Sequence, residues 1–476
     1  MAIIRGEGLT FDDVLLVPRA SSIRSRREID ISSRLTKRIK INVPIVSSPM
    51  DTVTESRLAI AMAREGAIGV IHRFMPIDDQ VREVLRVKRS EGIIIEKPYT
   101  ISPDNTVDDV RKMMDRYKVS GLLVVDESNH LLGIVTSRDI IFEKSSKRVS
   151  EVMTPKERLI TARPSITIDE AKEILKSHKI EKLPLVDEKN ILRGLITMRD
   201  IVSIEKFPYA SKDKKGRLMV GAAVGLKDYL ERTKRLLDAE VDFIVIDVAN
   251  GYTQSVIEAI KKIKGNFDID VIAGNVATAD GAELLASAGA DAIRVGIGSG
   301  SACITRLVAG VGVPQISAVM ECAQVASKYD VPVISDGGIR KPGDIVKALA
   351  AGASTVMIGN LLAGTEESPG ATIIRENRKY KIFRGMASHG AYLSKMEREG
   401  IFEEEEIEAY VSEGVEGLVE YRGTVSEVLK QLIGGLRSGM SYLGARNIKE
   451  LQNNAIFIKI TDAGIREGGV HNMIPF

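Results

Sequence analysis

Short apolar runs recur along the chain, and each ends in small or polar residues, usually glycine. Eight of them are VPIVSSPM, AIGVIH, LMVGAAVG, FIVIDVANG, DVIAGNV, AIRVGIG, VPVISDGG and TVMIGN. Between them lie segments with helical period, apolar on one face. Continuous apolar runs bounded by turn residues predict strands buried on both faces, as in parallel sheets covered by helices. Eight such strands alternating with helices predict an α/β fold. A (β/α)8 TIM barrel accounts for the count better than an open sheet, and it puts function on the loops after the strands.

The alternation is interrupted between the second and third strands by a duplication. TISPDNTVDDVRKMM at 100–114 is echoed by TARPSITIDEAKEIL at 161–175, and GIVTSRDI at 133–140 by GLITMRDI at 194–201. Each copy reads as helix, strand, turn, strand and the start of another helix. The T-x-R-D endings set Thr136 with Asp139, and Thr197 with Asp200, at strand-to-helix junctions. Such positions can hold a ribose or phosphate, or simply cap the helix; both readings stay open. The segment 94–207, with repeats of about 94–150 and 151–207, resembles a tandem CBS pair. That resemblance implies a regulatory module binding an adenine or guanine nucleotide effector at those four residues. The catalytic barrel would then comprise 1–93 and 208–476.

Composition narrows the function classes. The 476 residues are 44% apolar and 28% charged, and the 67 basic against 65 acidic residues leave a net charge of +2. So balanced a chain gives no electrostatic reason to expect nucleic acid or a membrane surface. Trp is absent and aromatics are 4%, too few for base-stacking platforms. No apolar run reaches the roughly eighteen residues of a membrane span, and no signal-peptide core opens the chain. The two cysteines, Cys303 and Cys322, lack metal-ligand spacing and fit a reducing, cytoplasmic setting.

Three consecutive post-strand loops, GIGSGSACITR, SDGGIRKPGD and MIGNLLAG, are rich in glycine. Glycine lets backbone N–H groups approach an anion closely, so the set predicts a nucleotide monophosphate or sugar phosphate. Ser301 is placed to donate to the phosphate and Asp336 to accept from ribose hydroxyls. Cys303, in the first loop, is a candidate thiolate nucleophile. Cys322, in the helical run AVMECAQVASKY, reads as a packing residue. Asp247, Asn250 and Gly251 follow a barrel strand and face the barrel mouth.

Along essentially its whole length the chain resembles the family of IMP dehydrogenase and GMP reductase. LTFDDVLLVP, SSPMDTVTE, GRLMVGAAVG, AGNVATADGA, the Cys303 loop, GVGVPQ, SDGG and LLAGTEESPG carry the resemblance. It implies that Cys303 attacks C2 of a purine nucleotide to form a thioimidate. Substrate would be held by Ser48, Met50, Ser301, Asp336, Gly338, Gly359, Asn360, Gly385, Met386 and Ser388. Asp247, Asn250, Gly251 and Asn275 would meet a nicotinamide cofactor. A monovalent cation, K+, would bind carbonyls of Gly298, Gly300 and Cys303, with Glu467, Gly468 and Gly469 completing the site in a homotetramer or octamer.

The two branches share the thioimidate and differ in its fate. The family's dehydrogenases hydrolyse it with a flap Arg-Tyr pair; its reductases expel ammonia and deliver hydride from NADPH. In the flap, about 385–420, the comparable stretch EGIFEEEE carries Gly400 and Ile401, and no Arg-Tyr dipeptide occurs between Gly385 and Glu413. DVANGYT, AVMECA, KPGD, GMAS and GGLRSGMSYLGA also lean toward the reductase. SSPMDTVTE, SDGGI, EGVEG and the CBS insert lean toward the dehydrogenase. The expectation is therefore reductive deamination of GMP to IMP and ammonia with NADPH, Thr305 and Glu413 handling the ammonia. The alternative is oxidation of IMP to XMP with NAD.

Overall fold

The computed structural model describes residues 3, 6–90, 94–399 and 411–470, so Gly400, Ile401 and Glu403 to Glu406 lie outside the described residues. All eight predicted strands form: β1 (Ile45–Ser47), β2 (Ile68–Ile71), β3 (Gly221–Val224), β4 (Phe243–Asp247), β5 (Asp270–Val276), β6 (Ala292–Val295), β7 (Val333–Asp336) and β8 (Thr355–Ile358). They pair in parallel, in chain order, into a closed barrel. β8 returns to β1, with Val356 opposite Ile45, and β2 meets β3 directly, with Val70 opposite Gly221.

Both faces of each strand are buried, which is why the runs are apolar throughout rather than alternating. Along β4 the period of two still sorts the side chains. Phe243 and Val245 join Val46, Val70, Ile272 and Met357 in the cluster that fills the barrel. Ile244 and Ile246 join the larger cluster under the helices. Gly221 is small because a Cβ there would lie 2.3 Å from the Phe243 ring. The hairpin Ser33–Arg34 with Lys40–Ile41 adds Leu35 and Ile41 to the interior cluster. Thr36 Oγ1 donates to Asp270 at the start of β5 (2.5 Å), and Lys37 N to the Asp291 carbonyl before β6 (3.1 Å). The strand N-termini are thereby plugged, and the strand C-termini are left for the site.

Contacts divide the chain into two compact units: Met1–Ser90 with Tyr209–Asp213 and Leu218–Phe476, and Glu91–Pro208 with Lys214–Arg217. Within the second unit the elements of the two copies begin 61 residues apart: helices at Val107 and Ile168, strands at Gly121 and Lys182, then at Leu131 and Leu192. The copies meet through reciprocal bonds. Asn129 Nδ2 donates to the Leu192 carbonyl and Asn190 Nδ2 to that of Leu131, each at 3.0 Å. Thr136 N and Oγ1 both donate to Asp139 (2.7 Å), and Thr197 Oγ1 donates to Asp200 (2.5 Å). Of the two readings left open for these four residues, helix capping is therefore the one with a described geometry.

Among the described residues no helix is long and apolar enough to cross a membrane.

Candidate active site

The loop after β6 places Cys303 at the barrel mouth, and a distant segment completes its surroundings. Ile304 N donates to the Glu413 carbonyl (2.8 Å), Val415 N to Ala302 (3.0 Å) and Glu413 N to Ala387 (3.1 Å). These backbone bonds stitch residues 302–304, 413–415 and 387 together. An antiparallel sheet of Thr372–Arg375, Arg378–Arg384 and Glu416–Glu420 carries the chain into and out of this segment. The result is a short polar chain: Cys303 Sγ lies 3.2 Å from Thr305 Oγ1, which donates to Glu413 Oε2 at 2.7 Å. A carboxylate so placed can draw a proton through the threonine hydroxyl from whatever reacts beside the sulfur.

A second group crosses the mouth from strand ends. The Arg294 guanidinium on β6 spans Asp247 Oδ1 on β4 (2.8 Å) and Asp336 Oδ2 on β7 (2.7 Å). Burial acts to lower the pKa of this arginine, but the two carboxylates outweigh it and hold the pKa above its ordinary value. Asn275 Nδ2 on β5 donates to the same Asp336 Oδ2 and to the Gly296 carbonyl, both at 2.8 Å. With its amide nitrogen so committed, Asn275 Oδ1 must face the other way. It is buried without a partner in the chain. A bound group with an N–H or O–H donor would satisfy it.

These groups line one cavity of about 800 Å³. Of the residues expected at the site, it gathers Cys303, Thr305, Glu413, Ser48, Met50, Ser301, Asp336, Gly338, Gly359, Asn360, Gly385, Met386, Asp247, Asn250, Asn275, Gly298 and Gly300. Ser388 and Gly251 are not on that lining. The Ser388 hydroxyl donates to Glu416 Oε1 (2.9 Å) and accepts from Ala391 N (3.2 Å), which ties residue 388 to the strand Glu416–Glu420. Gly251 N donates to the Asn275 carbonyl (2.7 Å), and a Cβ there would meet the Gly274 backbone at 3.0 Å. It is packed against β5. Glu467, Gly468 and Gly469, at the end of the helix Asp462–Glu467 and just beyond it, line no part of this cavity. Cys322 is fully buried, and burial, with Glu321 beside it, pushes its thiol up to about 12. It is a packing residue.

Sequence reasoning missed Arg294, Arg73 and Phe74, all on the lining. A charged residue inside the apolar run AIRVGIG was the available signal for Arg294. Arg73 directly follows the β2 run and had none beyond its position.

A closed parallel barrel whose strand ends converge on a thiol, a hydroxyl–carboxylate pair and a bridged pair of aspartates is the frame of a barrel enzyme. The chain belongs to the IMP dehydrogenase / GMP reductase domain family, whose model matches residues 8–471, and it is an oxidoreductase. It is 57% identical to inosine-5'-monophosphate dehydrogenase of Aquifex aeolicus over 98% of this chain and 96% of that one. It is 52% identical to the enzyme of the same name from Nitrosopumilus maritimus, over 98% and 99% of the two chains. Among solved structures, GMP reductase from Trypanosoma brucei in complex with guanosine 5'-monophosphate superposes with a TM-score of 0.93 at 44% identity, covering 98% of each chain.

The reductase direction expected from the flap does not survive these comparisons. Full-length relatives at 50 to 57% identity carry the dehydrogenase name, and the reductase is the more distant neighbour, similar in fold. The missing Arg-Tyr dipeptide would exclude a dehydrogenase only if that pair were the sole means of activating water. The Thr305–Glu413 pair offers another acceptor for that proton.

Proposed function

We propose that this chain is an IMP dehydrogenase, oxidising IMP with NAD and water to XMP and NADH. The observation that carries the reading is the identity with dehydrogenases over nearly the whole of both chains. The site chemistry agrees with it. The Cys303 thiolate adds to C2 of the purine, and the tetrahedral carbon loses its hydrogen as hydride. NAD, held by Asp247, Asn250 and Asn275, would supply the acceptor for that hydride. Water then attacks C2 of the Cys303 thioimidate, and its proton passes through Thr305 Oγ1 to Glu413. Cys303 departs as thiolate when the C2–S bond breaks, leaving XMP.

Asp336 holds the ribose of the substrate, with its charge balanced by Arg294, and Ser301 donates to the phosphate. Met50 and Met386 pack against the base. Asp247, Asn250 and Asn275 face the cofactor, and the unpartnered Asn275 Oδ1 is suited to accept from a carboxamide N–H. Gly298, Gly300 and Cys303 offer neutral carbonyl oxygens, the donor type that suits a monovalent cation such as K+. In an oligomer, a tetramer or octamer, Glu467 to Gly469 of a neighbouring copy would complete that set. The duplicated insert is a tandem CBS module for a nucleotide effector, and the setting is cytoplasmic.

The test is a paired assay of the whole chain, with IMP plus NAD in one cuvette and GMP plus NADPH in another, reading absorbance of the reduced cofactor. Turnover of IMP is expected, and Cys303→Ala abolishes it. Turnover of GMP without turnover of IMP overturns the reading.

A further inference from the structure

The nucleophile loop is closed by a residue to which the proposed chemistry assigns no part. It runs from Ile297, just past β6, to Val313, just before the helix Gln315–Ala326. Arg306 lies inside it, three residues after Cys303 and next to Thr305. Its Nη2 donates to the carbonyls at both ends of the loop, Val313 at 2.5 Å and Ile297 at 3.4 Å. The side chain reaches them between two glycines. A Cβ on Gly298 would lie 2.5 Å from Arg306 Cγ and 2.8 Å from Nε; one on Gly312 would lie 2.7 Å from both atoms. Both glycines hold positive φ, +79° and +156°, where side chains are strained. Arg306 Nε, buried in this slot, has no acceptor. The guanidinium is therefore anchored through Nη2, at the mouth of the loop.

We propose that Arg306 is a positioning residue: by tying the Ile297 and Val313 carbonyls together it holds the turn that sets Cys303 Sγ against Thr305 Oγ1. Several features agree. Apart from the bonds that tie Ala302 and Ile304 to residues 413–415, the backbone of the loop makes short-range turns, such as Cys303 N to the Gly300 carbonyl (3.1 Å) and Ala309 N to that of Thr305 (2.8 Å); none of these joins its two ends. The two N–H bonds of Nη2 lie in the plane of the guanidinium and point to the two carbonyls, whereas a lysine ammonium on a flexible stem is not held in that direction. A shift of about 1 Å in a reacting group costs up to about a hundredfold in rate, so slack in this loop falls on kcat. Arg306 does not reach the purine pocket, so KM for IMP should move little.

The proposal rests on Cys303 being the nucleophile of the proposed function, and the first readout is chosen to stand without turnover. The full-length protein is treated with iodoacetamide, and carbamidomethylation of Cys303 is followed by mass spectrometry, with buried Cys322 as internal reference. Arg306→Ala is expected to change the Cys303 rate while leaving Cys322 protected. It should also lower kcat for IMP oxidation by between about ten- and a hundredfold, with KM nearly constant. Millimolar guanidinium should restore part of both, because the ion can re-enter the slot between Gly298 and Gly312. Should Arg306→Ala fail to fold, Arg306→Lys carries the same test and is expected to share the defect. Unchanged alkylation and kcat in either variant overturn the proposal, as does a loss that appears only in melting temperature. A wild-type protein that fails to oxidise IMP overturns the proposed function instead, and the alkylation rates still decide the brace.

Discussion

Replacing Glu413 by Gln isolates the proton step. The carboxylate accepts from Thr305 Oγ1 at 2.7 Å, and that hydroxyl lies 3.2 Å from Cys303 Sγ. A glutamine amide keeps the size and an acceptor oxygen, so the threonine stays in place, but the amide cannot take up the proton that leaves the attacking water. Positioned acid–base groups contribute two to four orders of magnitude, about 3–5 kcal/mol of barrier at 1.36 kcal/mol per tenfold. Only hydrolysis should carry this loss, because hydride leaves C2 before water attacks. Rapid mixing of Glu413→Gln with IMP and NAD should show a burst of one NADH per site, then a slow steady state. Mass spectrometry should find the nucleotide held on Cys303. A wild-type steady-state rate, or a slowed burst with no adduct, would refute the assignment.

The packing leads to three further expected outcomes. Phe243→Ala empties the space over Gly221 inside the barrel and should cost about 3–5 kcal/mol, read by denaturant unfolding; an unchanged midpoint would show that the interior collapses around the gap. Arg294→Met leaves Asp247 and Asp336 facing one another in the buried mouth without their cation, and removing one partner of a buried pair costs about 3–5 kcal/mol. Loss of substrate binding without loss of stability would show that the pair is solvated. The Cys322 thiol is raised from the usual 9 to about 12 by burial, so its contribution to stability is full below pH 9 and is lost as pH rises toward about 12. Wild-type stability should therefore fall more steeply over that window than that of Cys322→Ala, by up to about 1.4 kcal/mol per pH unit. Parallel curves would contradict this.

The flap shows where sequence reasoning went astray. Gly400 and Ile401 mark the absence of a water-activating pair, but the direction of hydride transfer does not depend on that pair alone. Inferring it from the flap needs Thr305 and Glu413 to serve ammonia only. Their geometry is indifferent: a hydroxyl bonded to a carboxylate beside a thioimidate can relay a proton to a departing amine or away from water. Ser388 lies off the cavity lining for a local reason. Its neighbours Met386 and Ala387 line the cavity, but one turn of chain rotates its hydroxyl onto Glu416.

By itself the sequence determined the eight strands, the interruption between the second and third, and the 61-residue repeat. These are local or periodic properties: burial on both faces makes a strand apolar throughout, and duplicated elements keep their spacing. It also singled out Cys303 and the glycines around it, since a thiol in such a turn is unusual within one short window. Resemblance named Thr305 and Glu413 beside that thiol, but only the tertiary structure shows the contacts that bring them there. Glu413 is 108 residues from Thr305, and Arg294 joins Asp247 and Asp336 from three separate strands. Closing the barrel brings such residues within hydrogen-bond distance, and no spacing along the chain encodes a distance across it.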